Sequence, residues 1–316
     1  MSRRAKPRIV PPAAADQASR NRVRRRRLRL RLTGVAVLAA TMAAAFTVFT
    51  FFSAEASSSA GWLLKCSYVD SAPDDPIVHA GMPGMSHLHD FYGNKKTDAD
   101  STYRSMTQSP STCTSGDTAG YWTPALFRNG VKINPAGASP DGKTKVREQI
   151  YYRSNNLSSS TKIAPFPADF RMVAGNSKAT SAAQNPELGH EIYWGCSDNS
   201  ESGKPKAPVN CKTGVITLHI GFPNCWNGVL NPTDDTPNVV YPSGDKCPSK
   251  YPTALPRLIE RFEYPVGTSS AGITLASGPT YTAHADFWNT WQQTSLQKLV
   301  ANCLNAHKSC GTNPKN

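Results

Sequence analysis

Short runs rich in aromatic and β-branched residues recur along the chain, separated by clusters of proline and glycine. The runs are GYWTPALF (120–127), EQIYYRS (148–154), HEIYWGC (190–196), GVITLHIGF (214–222) and PRLIERFEYPV (256–266). Runs of this length and composition, bounded by turn residues, are typical of β-strands. Many short strands joined by turn-rich loops predict a mainly β fold, either a β-sandwich or a β-rich α+β domain.

One of these runs shows which side of its strand faces the core. In GVITLHIGF the residues Ile216, Leu218, Ile220 and Phe222 alternate with polar or small residues. Because side chains alternate across a strand, we expect the apolar set to face the core. His219 is then predicted to point away from that core.

A different spacing occurs near the C-terminus, in HADFWNTWQQTSLQKLVANCLNA (284–306). Its apolar residues fall mostly at intervals of three and four, which favours a helix with one buried face: Phe287, Trp288, Trp291, Leu299, Val300 and Cys303. Asp286 is the predicted cap at the start of this helix. Trp288 and Trp291 are expected to pack in the core.

The N-terminal region predicts export. A basic region (1–31) precedes the uncharged stretch Thr33–Phe52 and the small-residue sequence Ala54-Glu55-Ala56. Residues 32–56 are therefore either a cleaved signal peptide or a transmembrane anchor. The basic residues would stay cytoplasmic, and a short linker (57–61) would lead to a single extracellular domain (62–316), secreted or tethered to the membrane.

The net charge of +13 reflects this topology, because 12 of the 35 basic residues lie in residues 1–31. After residue 56 there remain 23 basic and 20 acidic residues. Without clustered basic residues in the predicted domain, a nucleic-acid partner is not expected.

All eight cysteines follow the export segment, and their even number predicts up to four disulfides. Their spacing does not resemble a cysteine-zinc site. Proximity along the chain suggests the pairs Cys303 with Cys310, Cys196 with Cys211, Cys225 with Cys247, and Cys66 with Cys113.

Six motifs occur in order along most of the predicted domain. They are DDPIVHAGMPGMSHLHDFYGN (74–94), YWTPALF (121–127), FPADFRMVAGN (166–176), HIGFPNCWNGV (219–229), CPSKYPTALPRL (247–258) and HADFWNTW (284–291). Together they resemble the family called domain of unknown function 1996, found in exported fungal and actinobacterial proteins. The resemblance implies no activity, because the family has none assigned.

Candidate chemistry centres on histidines. His87 and His89 are two residues apart, so on an extended strand both project from one face. Two such imidazoles with a third ligand are a common site for zinc or copper. His219 and His284 are the preferred partners, over His79, His190 and His307, and Asp90 or Asp286 is expected to orient a ring as a hydrogen-bond acceptor.

Each of these features also has a plainer interpretation. The histidines can be hydrogen-bonded core residues, and carboxylates such as Glu148 and Glu260 are expected to be solvated surface charges. Glu260 and Glu263 are predicted on opposite faces of one strand. Among the aromatic residues, Trp226 is the candidate for stacking on a sugar.

Two functions therefore stay open from the sequence. One is a metal-dependent extracellular enzyme acting on polysaccharide through a histidine-lined cleft. The other is a non-catalytic module that binds cell-wall glycan or another carbohydrate. No GxSxG, P-loop or dinucleotide motif adds a further candidate.

Overall fold

Two large sheets carry most of the strands in the computed structural model, which describes residues 60–137, 148–154, 156–233 and 236–315. The first sheet has six strands, in the spatial order β17 (Ser309–Thr312), β1 (Gly61–Cys66), β7 (Glu148–Arg153), β14 (Arg257–Tyr264), β10 (Ile216–Gly221) and β9 (Ile192–Cys196). Its neighbouring strands are antiparallel except β1 and β17, which are parallel.

The second sheet has five antiparallel strands and carries the candidate site. Their spatial order is β2 (Tyr68–Ala72), β3 (His89–Gly93), β4 (Gly120–Pro124), β16 (His284–Trp288) and β8 (Arg171–Gly175). Neighbours distant in sequence, such as β4 and β16, are therefore adjacent in space.

The remaining elements are short. Two small sheets contain β12 (Val239–Val240), β11 (Cys225–Trp226) and β13 (Thr253–Ala254), and β15 (Ile273–Leu275), β5 (Leu126–Arg128) and β6 (Val131–Lys132). Two α-helices, α1 (Tyr103–Thr107) and α2 (Gln293–Leu299), are accompanied by a π-helical turn (Val300–Leu304) and by 3₁₀ turns at Ala182–Gln184 and Thr280–Thr282.

The two large sheets pack face to face as a β-sandwich. The rings of Tyr92 on β3 and Phe262 on β14 lie 5.3 Å apart, and the hydroxyls of Tyr121 on β4 and Tyr152 on β7 are hydrogen-bonded at 2.7 Å. The alternation in β10 places Ile216, Leu218 and Ile220 in this core, fully buried, as predicted. The mainly β fold predicted from the sequence is confirmed.

The outer face of the five-stranded sheet is buried as well. Phe91, Trp122 and Trp288 project from it and form a second small core with Met106 of α1. Because both faces of this sheet are covered, its strands have buried side chains at consecutive positions. The clearest example is β16, whose five residues are all buried.

The burial of β16 on both faces explains why the C-terminal helix was predicted to begin before its true start. The segment His284–Trp288 is a strand, and α2 begins only at Gln293. The prediction that Asp286 caps a helix is therefore wrong. A strand buried on both faces can carry apolar residues at helix-like intervals, so the spacing did not distinguish the two structures. Trp288 and Trp291 are nevertheless buried, as expected.

The four disulfides are Cys66–Cys113, Cys196–Cys211, Cys225–Cys247 and Cys303–Cys310. They use all eight cysteines, and the pairing suggested by proximity is confirmed. Four disulfides in one domain are typical of an oxidising, extracellular environment. No helix in the described part of the chain is long and apolar enough to cross a bilayer. The predicted signal or anchor segment, 32–56, lies outside the described residues.

The Cys303–Cys310 disulfide joins the π-helical turn to the edge strand β17 and spans 7 residues. Replacing both cysteines by serine is expected to lower the free energy of unfolding by about 2 kcal/mol, because the unfolded chain regains the entropy of a short loop. Urea denaturation of the full-length protein measures this change. Lys308→Ser, at an exposed position within the same loop, is the control, and equal midpoints for the two variants would contradict the prediction.

Two glutamates lie between the sheets, contrary to the expectation of surface charges. Glu148 on β7 and Glu260 on β14 are fully buried, and their four carboxyl oxygens have no hydrogen-bond partner among the described residues. Side chains alternate across a strand, so Glu260 lies on the opposite face of β14 from Arg261 and Glu263 and points into the interior. Glu263 faces outward and pairs with Arg261, so the prediction that Glu260 and Glu263 occupy opposite faces is confirmed.

Burial raises the pKa of both interior carboxyls well above their ordinary values. The charge of Asp117 adds to this effect at Glu148, and the charge of Glu148 adds to it at Glu260. An ionised carboxylate without a partner is costly in such an interior, so the protonated form is favoured.

Candidate functional site

Three histidines converge on the outer face of the five-stranded sheet. Phe91 of β3 and Asp286 of β16 both lie opposite Trp122 of the intervening strand β4, so the three share one face. His89 and His284 are each two residues away from a member of this row and project from the same face. His87, just before β3, reaches the same point.

The three imidazole rings meet through their Nε2 atoms. The Nε2 atom of His284 lies 3.2 Å from that of His87 and 3.4 Å from that of His89. The ring centroids of His87 and His89 are 4.2 Å apart. His89 and His284 are buried, and His87 is half-buried, so the cluster has one side toward solvent.

Backbone carbonyls fix the tautomers of the two buried rings. The Nδ1 atom of His89 donates to the carbonyl oxygen of Asp74 at 2.9 Å, and that of His284 donates to the carbonyl oxygen of Thr282 at 2.8 Å. In a neutral imidazole the other nitrogen then carries a lone pair. The two facing Nε2 atoms are both acceptors, so neither can donate a hydrogen bond to the other.

The environment also keeps the rings neutral. Burial lowers the pKa of His87 to about 4 and that of His284 to about 3, and it lowers the pKa of His89 well below its ordinary value. Neighbouring imidazoles add to the effect at His89 and His284. Near neutral pH the cluster therefore presents unprotonated nitrogens, which is the form that binds a metal ion.

The spacing of the nitrogens suits a metal ion between them. With Zn–N bonds of about 2.0 to 2.1 Å at tetrahedral angles, ligand nitrogens are about 3.3 to 3.4 Å apart. The Nε2 atom of His284 lies 3.2 Å from that of His87 and 3.4 Å from that of His89, which matches this value. Metal-bound histidines also commonly donate the outer ring N–H to a backbone carbonyl, as His89 and His284 do here.

Two buried aspartates stand beside the cluster. Asp75, Asp286 and His89 each offer a potential ligand atom, and these three atoms lie within 4.8 Å of one another. Neither oxygen of Asp286 has a hydrogen-bond partner in the described residues, whereas Asp75 accepts from the backbone N–H groups of Ile77 and Val78. Burial raises the pKa of both carboxyls, and the charge of Asp75 adds to the effect at Asp286.

Asp75 was not identified from the sequence as a site residue. Its signal was present, since it lies in the same family motif as His87 and His89, directly after Asp74. The predicted acceptor role of Asp90 and Asp286 is not what the structure shows, because carbonyl oxygens accept the outer N–H groups. Asp90 lies on the other face of β3, where it pairs with Lys132 at 2.8 Å and accepts from Ser71 at 2.6 Å.

His219 does not join the cluster. It lies on β10 of the other large sheet and faces away from the sandwich core, as its alternation predicts. There it stacks on Tyr193 with ring centroids 4.3 Å apart, and its Nε2 atom lies 3.1 Å from the Thr217 hydroxyl. Burial lowers its pKa to about 3. It is a hydrogen-bonded histidine within a polar face.

Trp226, the predicted stacking residue, lies in the small sheet formed by β11, β12 and β13. Its ring is half-buried and packs edge-on against Phe170 at 5.9 Å, and its indole N–H donates to the carbonyl oxygen of Val229 at 2.6 Å. A role in stacking on a sugar stays a prediction.

A cavity of about 370 Å³ runs along β8, the strand next to His284 and Asp286. Two of its lining residues, Val173 and Gly175, lie opposite Asp286 and His284 in the strand register. Ile77 and Val78, which follow Asp75, form part of another wall, and the polar residues Lys178 and Asn238 also line the cavity. A space of the size that holds small ligands therefore lies one strand away from His284 and Asp286, although none of the three histidines or two aspartates is among its lining residues.

The fold and this site define a disulfide-bonded β-sandwich with a buried three-histidine cluster on one sheet. Residues 75–291 match the family described as Domain of unknown function (DUF1996), and the chain belongs to that family. The matched region includes all three histidines of the cluster and both aspartates. No curated protein and no solved structure matches the chain.

Proposed function

We propose that this protein is an extracellular metal-dependent enzyme whose metal ion, zinc or copper, is held by His87, His89 and His284. The observation that carries the proposal is the pair of buried Nε2 atoms of His89 and His284, 3.4 Å apart, each left as an acceptor by its Nδ1 hydrogen bond. A cation shared by these two atoms removes the repulsion between their facing lone pairs.

The ligand set favours a catalytic role over a structural one. Structural zinc sites are closed by four protein ligands, whereas catalytic sites have three protein ligands and an open position. Three imidazoles meet here, and His87 leaves one side half-open to solvent. A bound zinc ion would supply a water molecule of lowered pKa at that position.

The two buried aspartates supply the acid–base groups for such chemistry. Asp286 has no hydrogen-bond partner among the residues that the structure describes and lies within reach of His89, and Asp75 is held in place by two backbone N–H groups. A carboxyl of raised pKa beside the cluster can hold a proton near neutral pH. Their role would be to accept a proton and to return it to a leaving group.

Polysaccharide is the substrate class that we propose. The disulfides indicate an extracellular setting, and the cavity along β8 offers Lys178 and Asn238 between apolar walls, a combination that suits a sugar unit. Extracellular polysaccharides include the glycans of a cell wall, which would be the natural partner of a secreted or membrane-tethered protein.

The test is direct. The purified full-length protein is assayed for bound zinc and copper by elemental analysis, then screened against a panel of polysaccharides with and without chelator. We expect about one metal ion per chain and a cleavage activity that chelator removes and added metal restores. A protein that binds neither metal after reconstitution would overturn the proposal.

A second function, glycan binding without turnover, is favoured by the outer face of the six-stranded sheet. There Tyr151 and Tyr193 are half-buried, with Arg153 and Lys204 over their rings at 5.1 and 5.2 Å. Half-exposed rings on a flat face suit contact with sugars. If this function is the true one, Tyr193→Ala will reduce retention on insoluble glycan, and removal of metal will not.

A further inference from the structure

The loop between β2 and β3 carries a second group of potential metal ligands, outside the three-histidine cluster. Its sequence HAGMPGM places His79, Met82 and Met85 at intervals of three. Both methionines are exposed, Met82 by 45% and Met85 by 63%, and His79 is half-buried. Large apolar side chains are exposed at only a few positions in the described residues, so two in one short loop are notable.

Two successive turns bring the backbone of His79 close to that of Met82, and the backbone of Met82 close to that of Met85. The N–H of Met82 donates to the carbonyl oxygen of His79 at 3.0 Å, and the N–H of Met85 donates to that of Met82 at 3.3 Å. The third position of each turn is a glycine with positive φ, Gly81 at 72° and Gly84 at 75°. Such turns place their first and last Cα atoms within about 7 Å of each other.

The backbone of the loop is anchored, so the exposure of the methionines is a fixed feature of the surface. Gly81 donates to the carbonyl oxygen of Ala99 at 2.7 Å, and Ser86 donates to that of Pro73 at 3.0 Å. Gly84 donates to the side chain of Asp74 at 2.9 Å.

The loop is also coupled to the histidine cluster. Asp74 holds Gly84 with its carboxylate and the Nδ1 atom of His89 with its carbonyl oxygen. Met85 precedes His87 by two residues. The three potential ligands on the loop therefore lie near the solvent-facing side of the histidine cluster.

The chemistry of these side chains selects a particular ion. Neutral thioether sulfur is a soft ligand that prefers Cu(I), whereas zinc is bound in proteins by thiolate sulfur, imidazole nitrogen and carboxylate oxygen. Unbranched methionine side chains adapt easily to a bound ion. Two thioethers and one imidazole are a donor set for Cu(I) and a poor one for Zn(II).

We propose that Met82, Met85 and His79 form a Cu(I)-binding site on this loop, beside the three-histidine cluster. The site binds Cu(I) without the histidines of the cluster, so it does not depend on the proposed enzymatic function. It gives the protein a surface at which copper is first captured close to the buried imidazoles.

The experiment compares Cu(I) binding by the full-length protein and its double variant Met82→Leu/Met85→Leu. Metal-free protein is titrated anaerobically with Cu(I) in competition with a chromophoric Cu(I) chelator, and Zn(II) binding is measured in parallel. We expect the double variant to lose at least tenfold in Cu(I) affinity at this site and to bind Zn(II) as the wild type does. Leucine keeps the size of methionine and removes only the sulfur.

Two further variants make the result decisive. Met172→Leu replaces a methionine buried in the sandwich core and should leave Cu(I) binding unchanged. His284→Ala removes the three-histidine centre and should retain the Cu(I) binding that depends on Met82 and Met85. Equal Cu(I) affinity in the wild type and the double variant would overturn the proposal, whatever the cluster binds. Absence of Zn(II) binding alone would count only against the three-histidine centre.

Discussion

Replacing His284 by alanine is expected to weaken zinc binding by about a thousandfold. Its Nε2 atom is the one that contacts both other imidazoles, at 3.2 and 3.4 Å. Structural zinc sites contribute about 10 to 16 kcal/mol of binding, so the loss of one ligand in three corresponds to about 4 kcal/mol, or a thousandfold in Kd. Zinc titration against a competing chelator measures the change.

The variant should also lose the stabilisation that metal gives the fold. A ligand present at about a thousand times its Kd raises the free energy of unfolding by about 4 kcal/mol. Chelator should therefore lower the Tm of the wild-type protein and leave that of the variant nearly unchanged. His87 is half-buried, so His87→Ala disturbs the core less than His284→Ala does. Chelator should likewise leave the Tm of this variant nearly unchanged.

His219→Ala is the matched control for this experiment. His219 is also buried and also has a lowered pKa, but it lies on the other sheet, stacked on Tyr193. Its replacement should leave zinc affinity unchanged. If His219→Ala and His284→Ala weakened zinc binding equally, or neither did, the three-histidine centre would be wrong.

The double variant Glu148→Gln/Glu260→Gln is expected to stabilise the protein increasingly as pH rises above the ordinary glutamate pKa of 4.5. Burial raises the folded-state pKa of both carboxyls, so the folded protein binds more protons than the unfolded chain in this range. The contribution of these two carboxyls to stability is then fully present below pH 4.5 and is lost as pH rises through their folded-state pKa values.

The size of the effect follows from linkage. Each extra proton held by the folded state lowers the free energy of unfolding by about 1.4 kcal/mol per pH unit between the ordinary and the folded-state pKa. Glutamine has nearly the same shape and no charge, so the variant should lack the part of the pH slope that these two carboxyls cause. Urea denaturation at several pH values in that range measures it.

Glu263→Gln tests whether the interior position is what matters. Glu263 lies on the same strand as Glu260 but faces outward, where it pairs with Arg261. This replacement should not remove the pH slope. A difference in stability between the double variant and the wild type that does not change with pH above 4.5 would contradict a protonated interior pair.

The strand content and the disulfides were predictable because each depends on information local in the chain. Alternation in GVITLHIGF identified the buried face of β10, and the short spacing of the cysteines suggested the pairs that the structure contains. The C-terminal segment was not predictable in this way. The apolar residues of His284–Trp288 continue at intervals of three and four into the residues that follow, so their spacing did not distinguish a strand from a helix.

The site was predictable only in part. His87 and His89 were recognisable as two histidines two residues apart, and His284 was one of the two preferred partners. The choice between His284 and His219 needed the sheet order, because both alternate correctly on their own strands. Asp75 and the carbonyl oxygens of Asp74 and Thr282 carry no sequence signal of contact with a particular ring.

The sequence by itself indicated strands such as β10, suggested the cysteine pairs and showed which histidines were available. Only the tertiary structure decided that His87 and His284, 197 residues apart, would meet, that His219 would face the opposite side of the sandwich, and that Glu148 and Glu260 would be enclosed. The physical reason is that alternation fixes the face on which a side chain lies, whereas the neighbours of a strand are set by the packing of the whole sheet.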